Sequence, residues 1–164
     1  GTGMLAVQLA KSVGAFVACT ASGKPMPGEV GVTKIEMCKR LGADVVVDYQ
    51  NEDWSETLKG GEYDLIYDCV GIPEDLTEKA GKVLKKGAKF VSIANFAGKS
   101  TEDVNYEVFL TIPTATDLAK MAAMVAEGKL VVPVDTVFEF AQVKEALKKS
   151  LSATSSGKLI VKVD

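Results

Sequence analysis

The sequence predicts an α/β protein whose parallel sheet is covered by helices on both faces, a doubly wound arrangement. Three observations carry that reading. Short, continuous apolar runs that suit buried strands alternate with helix-length segments along most of the chain. Glycine stands at the stop of several helical segments, as Gly14, Gly42 and Gly128. The chain opens on Gly1-Thr2-Gly3, which runs straight into an apolar helical segment.

Taken in order, residues 2–13 have helical spacing, with Leu5, Val7, Leu9 and Ala10 on or near the buried side. Residues 16–21 read as a short strand, 34–41 as a helix and 45–49 as a Val-rich strand. A short helix over 52–59 leads to a strong strand at 63–70. The helix at 73–85 carries Pro73 near its first turn, and 90–94 is the next strand. A strand at 106–112 and a helix at 116–127 continue the plan. A strand at 134–140, a helix at 141–151 and a strand at 158–163 form a short terminal unit. One segment breaks the rhythm: 22–33 holds Gly23, Pro25, Pro27, Gly28 and Gly31 and reads as a loop. It is about a dozen residues long, beyond the usual strand-to-helix connection of roughly 2–6. Both a functional loop and a tolerated surface insertion fit it.

Composition narrows the function classes. The 164 residues suffice for one domain with a core, and 47% apolar with 25% charged residues is ordinary for a globular chain. A net charge of −3 argues against a nucleic-acid partner, which needs a basic face. No apolar run approaches the ~20 residues of a membrane span. No secretory signal is visible, although the first residue is Gly1 and a targeting segment could have stood upstream. Cys19, Cys38 and Cys69 cannot all pair within the chain and lack the spacing of a zinc site. Buried free thiols suit them, and with them an intracellular, reducing compartment. Histidine is absent, which removes the commonest general base and zinc ligand from this stretch.

Gly1-Thr2-Gly3 carries the chemistry. Glycines there let the backbone approach a pyrophosphate, and the helix amino end aims free N–H groups and a positive dipole end at the anion. In the doubly wound order 3-2-1-4-5-6 the first strand lies mid-sheet, yet no strand precedes Gly1. Without it the sheet is cut in two, so the expectation is that an upstream strand belongs to this fold. At the end of the second strand, an Asp or Glu would accept from a ribose 2′-OH. Here the residues are Cys19-Thr20-Ala21-Ser22, followed by Lys24 and Lys34, which suit a 2′-phosphate and thus NADPH over NADH. Glu29 in the loop is the opposing charge.

At this point the residues resemble a known family. Met4-Leu-Ala-Val-Gln-Leu-Ala-Lys11, Leu41-Gly-Ala-Asp44 and Val47-Asp-Tyr49 look like the medium-chain dehydrogenase/reductase superfamily. So do Tyr63-Asp-Leu-Ile-Tyr-Asp-Cys-Val-Gly71, Val83-Leu-Lys-Lys-Gly87, Glu127-Gly-Lys-Leu130 and Gly157-Lys-Leu-Ile-Val161. The branch most similar is that of the NADPH-dependent quinone oxidoreductases and alkenal/enone reductases. The resemblance spans nearly the whole chain except 23–33. It implies a Rossmann-type NAD(P)-binding domain over 1–131, incomplete at its start. It also implies a C-terminal segment, 132–164, that rejoins a catalytic domain absent from the chain.

The resemblance further implies that Gly1, Thr2 and Gly3 hold the pyrophosphate. Ser22 and Lys34 would approach the 2′-phosphate, and Tyr49 the adenosine. Cys69 and Gly71 would meet the cofactor ribose, with Ala94 and Asn95 at the cofactor groove. Phe109 and Leu110 would lie in the strand whose backbone meets the nicotinamide amide. The implied reaction is hydride transfer from NADPH to a quinone or an α,β-unsaturated carbonyl, without zinc. No residue here can be named catalytic. The alternative is a non-catalytic Rossmann-fold subunit docked in a larger assembly. The strand at 106–112 could also pair two subunits edge to edge.

Overall fold

The computed structural model describes residues 1–26, 31–152 and 154–163. Pro27, Gly28 and Glu29 of the expected loop lie outside them. The chain divides into two units, Gly1–Gln50 with Thr114–Asp164, and Asn51–Pro113.

In the first unit, helix α1 (Thr2–Ser12) buries Val7 and Gln8. A buried glutamine must satisfy both ends of its amide. Gln8 does so against one backbone site. Its Oε1 accepts from Val131 N at 2.7 Å, and its Nε2 donates to Val131 O at 2.9 Å and to Met4 O at 3.0 Å. The amide thus fastens α1 to the start of the terminal segment. Replacing Gln8 with Leu strands both Val131 backbone groups and is expected to cost about 1–2 kcal/mol, measurable by urea denaturation. At the other end of α1, Lys11 Nζ pairs with Asp44 at 2.8 Å, and the Asp44 carboxylate also accepts from Val17 N at 2.7 Å.

Strand β1 (Ala18–Ala21) pairs in parallel with β2 (Val45–Asp48), Ala18 opposite Val45 and Ala21 opposite Asp48. Helix α2 (Lys34–Arg40) joins them. Its Thr33 cap accepts from Glu36 N, while the Glu36 carboxylate accepts from Thr33 N, a reciprocal capping box. The flanks of the 22–33 segment are more ordered than a plain loop. Met26 N donates to Val32 O at 2.7 Å, Pro25 bridges Thr33 antiparallel, and Met26 and Val32 are buried. The terminal segment folds as β6 (Val134–Phe138) and β7 (Lys158–Val161), parallel, with α6 (Val143–Leu151) between them in sequence. Gly157 is required there, because a Cβ would sit 2.6 Å from Pro133 O and 2.9 Å from Asp135 N. Helix α5 (Ala115–Ala126) buries none of its residues.

In the second unit, α3 (Trp54–Thr57) is shorter than the expected 52–59: Asp53 caps its start, accepting from Ser55 N at 2.9 Å, and Leu58 closes its end. Strands β3 (Tyr63–Asp68), β4 (Leu84–Ser92) and β5 (Val104–Val108) form a parallel sheet in that order. Its core gathers Leu76, Ala80, Val83, Leu84, Phe90 and Val104, with Trp54 and Tyr106 packed against it.

Two boundaries depart from expectation. The helix expected over 73–85 is a π turn, Asp75–Lys79, followed by α4 (Ala80–Val83), and β4 already begins at Leu84. Leu84 pairs with Tyr63, and the register then jumps to Leu65 opposite Lys89, so the lysine-rich stretch between bulges out. A partner strand distant in sequence overrides the helical periodicity. The strand expected over 106–112 lies at 104–108, because buried Val104 anchors its start. Phe109 N makes the last bond, to Ser92 O, where β4 ends.

The sheets β1–β2 and β3–β4–β5 are separate. They are the two groups that the order 3-2-1-4-5-6 leaves when its first strand is removed. The Rossmann-type α/β class is therefore what the chain adopts, and among the described residues β1 and β3 each pair with one strand. Among the described residues no helix is long and apolar enough to cross a membrane.

Candidate cofactor site

Each unit contributes its own group of candidate residues. In the first, Gly1 is the N-cap of α1, Thr2 and Gly3 form its first turn, and all three lie at a helix end free of acidic side chains. Gly1 and Thr2 are exposed. As at every helix start, the backbone N–H groups of Thr2 and Gly3 lack helical carbonyl partners, which leaves donors for an anion. A cation missed by sequence reasoning completes this end. A Cβ on Gly1 would lie 3.5 Å from Lys158 Nζ, at the start of β7. Gly1 and Lys158 also border an open groove with Val143, Ala146, Leu147 and Ser150 of α6. The only signal for this cation in the sequence was Gly157-Lys158 in the terminal motif, which carried no role of its own.

The end of β1 is more crowded than a simple phosphate cradle. Ser22 is only 2% exposed. The ammonium of Lys34 donates to Thr154 O at 3.3 Å. A Cβ on Gly23 would lie 3.2 Å from an oxygen of Asp48, so a carboxylate sits beside this tip. Asp48 Oδ1 also accepts from Gln50 N at 3.1 Å. Tyr49 follows β2, is exposed, and donates its N–H to Ala21 O at 3.2 Å. The structure therefore brings Tyr49 and Asp48 to the end of β1 together with Ser22.

In the second unit the loops after β3 and β4 are tied by one buried pair that sequence reasoning also missed. Asp68, the last residue of β3, accepts from Val70 N at 2.8 Å and Gly71 N at 2.9 Å through Oδ1. Its Oδ2 accepts from Ser92 Oγ at 2.6 Å. Ser92, fully buried at the end of β4, in turn accepts from Ala94 N at 3.2 Å and Asn95 N at 2.9 Å. One carboxylate and one hydroxyl thus fix both segments that hold Cys69, Gly71, Ala94 and Asn95. Gly71 has φ +87°, and a Cβ there would press on Ala94 at 3.0 Å, so the two loops touch where only glycine fits. The Cys69 thiol is held above its ordinary range, first by burial and then by the neighbouring Asp68 charge, which leaves it protonated. Phe109 and Leu110 lie just past β5 and not within it, and both are exposed. Among the described residues no three His, Cys, Asp or Glu side chains converge as a metal site.

Comparison with known proteins bears on the fold and the family. A family model described as zinc-binding dehydrogenase matches residues 41–161. A chloroplast envelope quinone oxidoreductase homolog of Arabidopsis thaliana is 31% identical over 170 residues, covering 98% of this chain and 49% of its own length. The chloroplastic NADPH-dependent alkenal/one oxidoreductase of the same plant is 30% identical over 167 residues, covering 98% of this chain and 38% of its own. Among solved structures, the quinone oxidoreductase of Coxiella burnetii superposes with a TM-score of 0.87 at 24% identity. That match covers 100% of this chain and 50% of the other, and it bears on the fold alone. The chain spans about half the length of the relatives it matches, or less.

Proposed function

The chain belongs to the zinc-binding dehydrogenase family, within the medium-chain dehydrogenases and reductases; from that premise we propose that it is the cofactor-holding part of an NADPH-dependent oxidoreductase that passes hydride to a quinone or to the β-carbon of an α,β-unsaturated carbonyl. The observation that carries the proposal is the amino end of α1, where Gly1 caps the helix, Thr2 and Gly3 open it with backbone donors, and Lys158 Nζ lies alongside. That combination suits a diphosphate, since both the helix dipole and the ammonium favour negative charge. The relatives named as quinone and alkenal/one oxidoreductases support the substrate class.

When bound, a nicotinamide would supply the hydride, and the protein would supply position and exclusion of water. In this reading Lys34 turns from Thr154 O to a 2′-phosphate, Ser22 backs that site, and Tyr49 lies against the adenosine. Cys69, Gly71, Ala94 and Asn95 border the ribose and the groove. Phe109 and Leu110 offer backbone to the nicotinamide amide. Residues 1–131 form the cofactor-binding part, and 132–164 lead back to a catalytic domain that completes the substrate pocket. The reaction as written requires no zinc. Asp48 beside Gly23 would repel a 2′-phosphate, so preference for NADPH depends on Lys34.

The test uses the full-length protein and follows loss of reduced-nicotinamide absorbance with an enal or a quinone as acceptor. Lys158→Ala is expected to raise KM for NADPH about tenfold with kcat little changed, as for loss of one charge-assisted contact to a group that does not react. Lys34→Ala is expected to raise KM for NADPH while leaving that for NADH unchanged. Cofactor binding without turnover of either acceptor would instead favour a docking subunit. Failure to bind either dinucleotide would overturn the proposal.

A further inference from the structure

Three of the four polar atoms of Asn95 are committed inside the second unit. Its N–H donates to Ser92 Oγ at 2.9 Å, its carbonyl accepts from the Tyr106 hydroxyl, and its side-chain Oδ1 accepts from Ala97 N at 3.0 Å. A backbone N–H needs an oxygen opposite it, so the bond to Ala97 also fixes which end of the carboxamide is which. The fourth atom, Nδ2, carries two donors, has no protein partner among the described residues and is not enclosed. A half-buried carboxamide held at every other atom, with its donors left over, is arranged for an acceptor that comes from outside the chain.

Tyr106 reaches Asn95 from β5. It stands opposite Phe90 in the sheet, and its ring stacks on that buried side chain with centroids 6.0 Å apart. Its N–H donates to Ser100 Oγ at 2.9 Å. The chain between β4 and β5 therefore folds back over the phenol. Gly98 makes the room: a Cβ there would lie 2.7 Å from Cε2 and 2.8 Å from Cε1 of Tyr106, so a side chain at 98 would push the ring away from Asn95.

We infer that Asn95 Nδ2 donates to an oxygen on the nicotinamide half of the dinucleotide, and that Tyr106 is the positioning residue that sets it. The inference rests on the function proposed above. The doubly wound fold is built from two mononucleotide-binding halves. In that reading the start of α1 and the end of β1 serve the diphosphate and the adenosine, and Asn95 stands in the other half, just past the end of β4. Tyr106 touches no ligand. It acts on Asn95 alone, through the carbonyl, as Ser92 acts through the amide.

The experiment titrates the full-length protein by calorimetry with NADPH and, separately, with adenosine 2′,5′-bisphosphate, the part of NADPH that lacks nicotinamide. Tyr106→Phe keeps the ring on Phe90 and removes only the hydroxyl. It is expected to weaken NADPH binding about three- to tenfold, as for loss of one hydrogen bond, and to leave the bisphosphate unchanged. Asn95→Ala is expected to do at least as much. The double variant should bind NADPH no more weakly than Asn95→Ala, because Tyr106 acts only through Asn95. Gly98→Ala should match Tyr106→Phe, and Ser100→Ala, which leaves the hydroxyl in place, should match wild type. The inference is overturned if Tyr106→Phe binds NADPH as wild type does, weakens both ligands alike, or adds its effect to that of Asn95→Ala. Wild-type protein that binds neither ligand marks a different failure, that of the proposed function on which the inference stands. Tyr106→Phe preserves the packing and is the decisive variant, so an unstable Gly98→Ala leaves the test intact.

Discussion

Asp68→Ala is expected to destabilise the protein by about 2–3 kcal/mol and to release both loops that follow β3 and β4. The carboxylate is 8% exposed and accepts three hydrogen bonds, from Val70 N, Gly71 N and Ser92 Oγ. Alanine leaves two backbone N–H groups and a fully buried hydroxyl without their acceptor. Part of the loss is recovered because Val70 is exposed and its N–H can turn to water. Ser92→Ala is expected to cost less, about 1–2 kcal/mol, since it removes only the acceptor for Ala94 N and Asn95 N and one donor to Asp68. The double variant is expected to cost clearly less than the sum, because the two side chains act through a shared bond. Hydrogen exchange checks the mechanism directly. The amides of residues 70, 71, 94 and 95 should lose protection in Asp68→Ala, while those of β1 and β2 should not. If the protection of those four amides is unchanged, Asp68 does not hold the loops.

The contrast between these residues and Gly1-Thr2-Gly3 shows what a sequence makes legible. Strand and helix types follow from local periodicity, and for most elements local burial decides them. The glycine run needs only its neighbour, the apolar helix, to be understood. Asp68 and Ser92 are 24 residues apart and meet only because β3 and β4 pair in parallel with Asp68 opposite Ser92. Before that register is known, one is an acid at the end of a strand and the other a small polar residue in an apolar run. Lys158 is harder still, since it reaches Gly1 from the last strand. The start of β4 fails for a related reason: Leu84 continues a helical pattern locally, but Tyr63 claims it as a pairing partner. The burial of Ser22, only 2% exposed, is a third case, because the packing around the end of β1 is not set by its sequence neighbours.

Asp135 concentrates the pH sensitivity of the terminal β6–α6–β7 segment. Its side chain has no exposed surface. Its Oδ1 accepts from Lys149 Nζ and from Thr136 Oγ1, the latter at 2.6 Å, and its Oδ2 accepts from Ser156 N at 2.7 Å. Burial alone would favour the neutral acid, but the ammonium and these donors outweigh it and hold the carboxyl below the ordinary aspartate range. A depressed folded value means that the unfolded chain binds the proton first as pH falls. The stabilisation is therefore complete above the unfolded value of about 3.9 and is lost as pH drops through the lower folded value.

Asp135→Ala is expected to cost about 2–3 kcal/mol at neutral pH, the lower part of the range for breaking a buried pair, because Lys149 is 27% exposed and can be hydrated. Other carboxylates are depressed as well, Asp44 by Lys11 and Val17 N among them, so the total stability curve does not isolate this one. The difference between wild type and Asp135→Asn does. Measured by urea denaturation down to strongly acid pH, that difference should be constant above about pH 5 and shrink below the ordinary aspartate value. A difference that stays flat through the acid range would mean that the carboxylate titrates alike in the folded and unfolded chain, and that its ring of donors contributes nothing to holding β6 against α6.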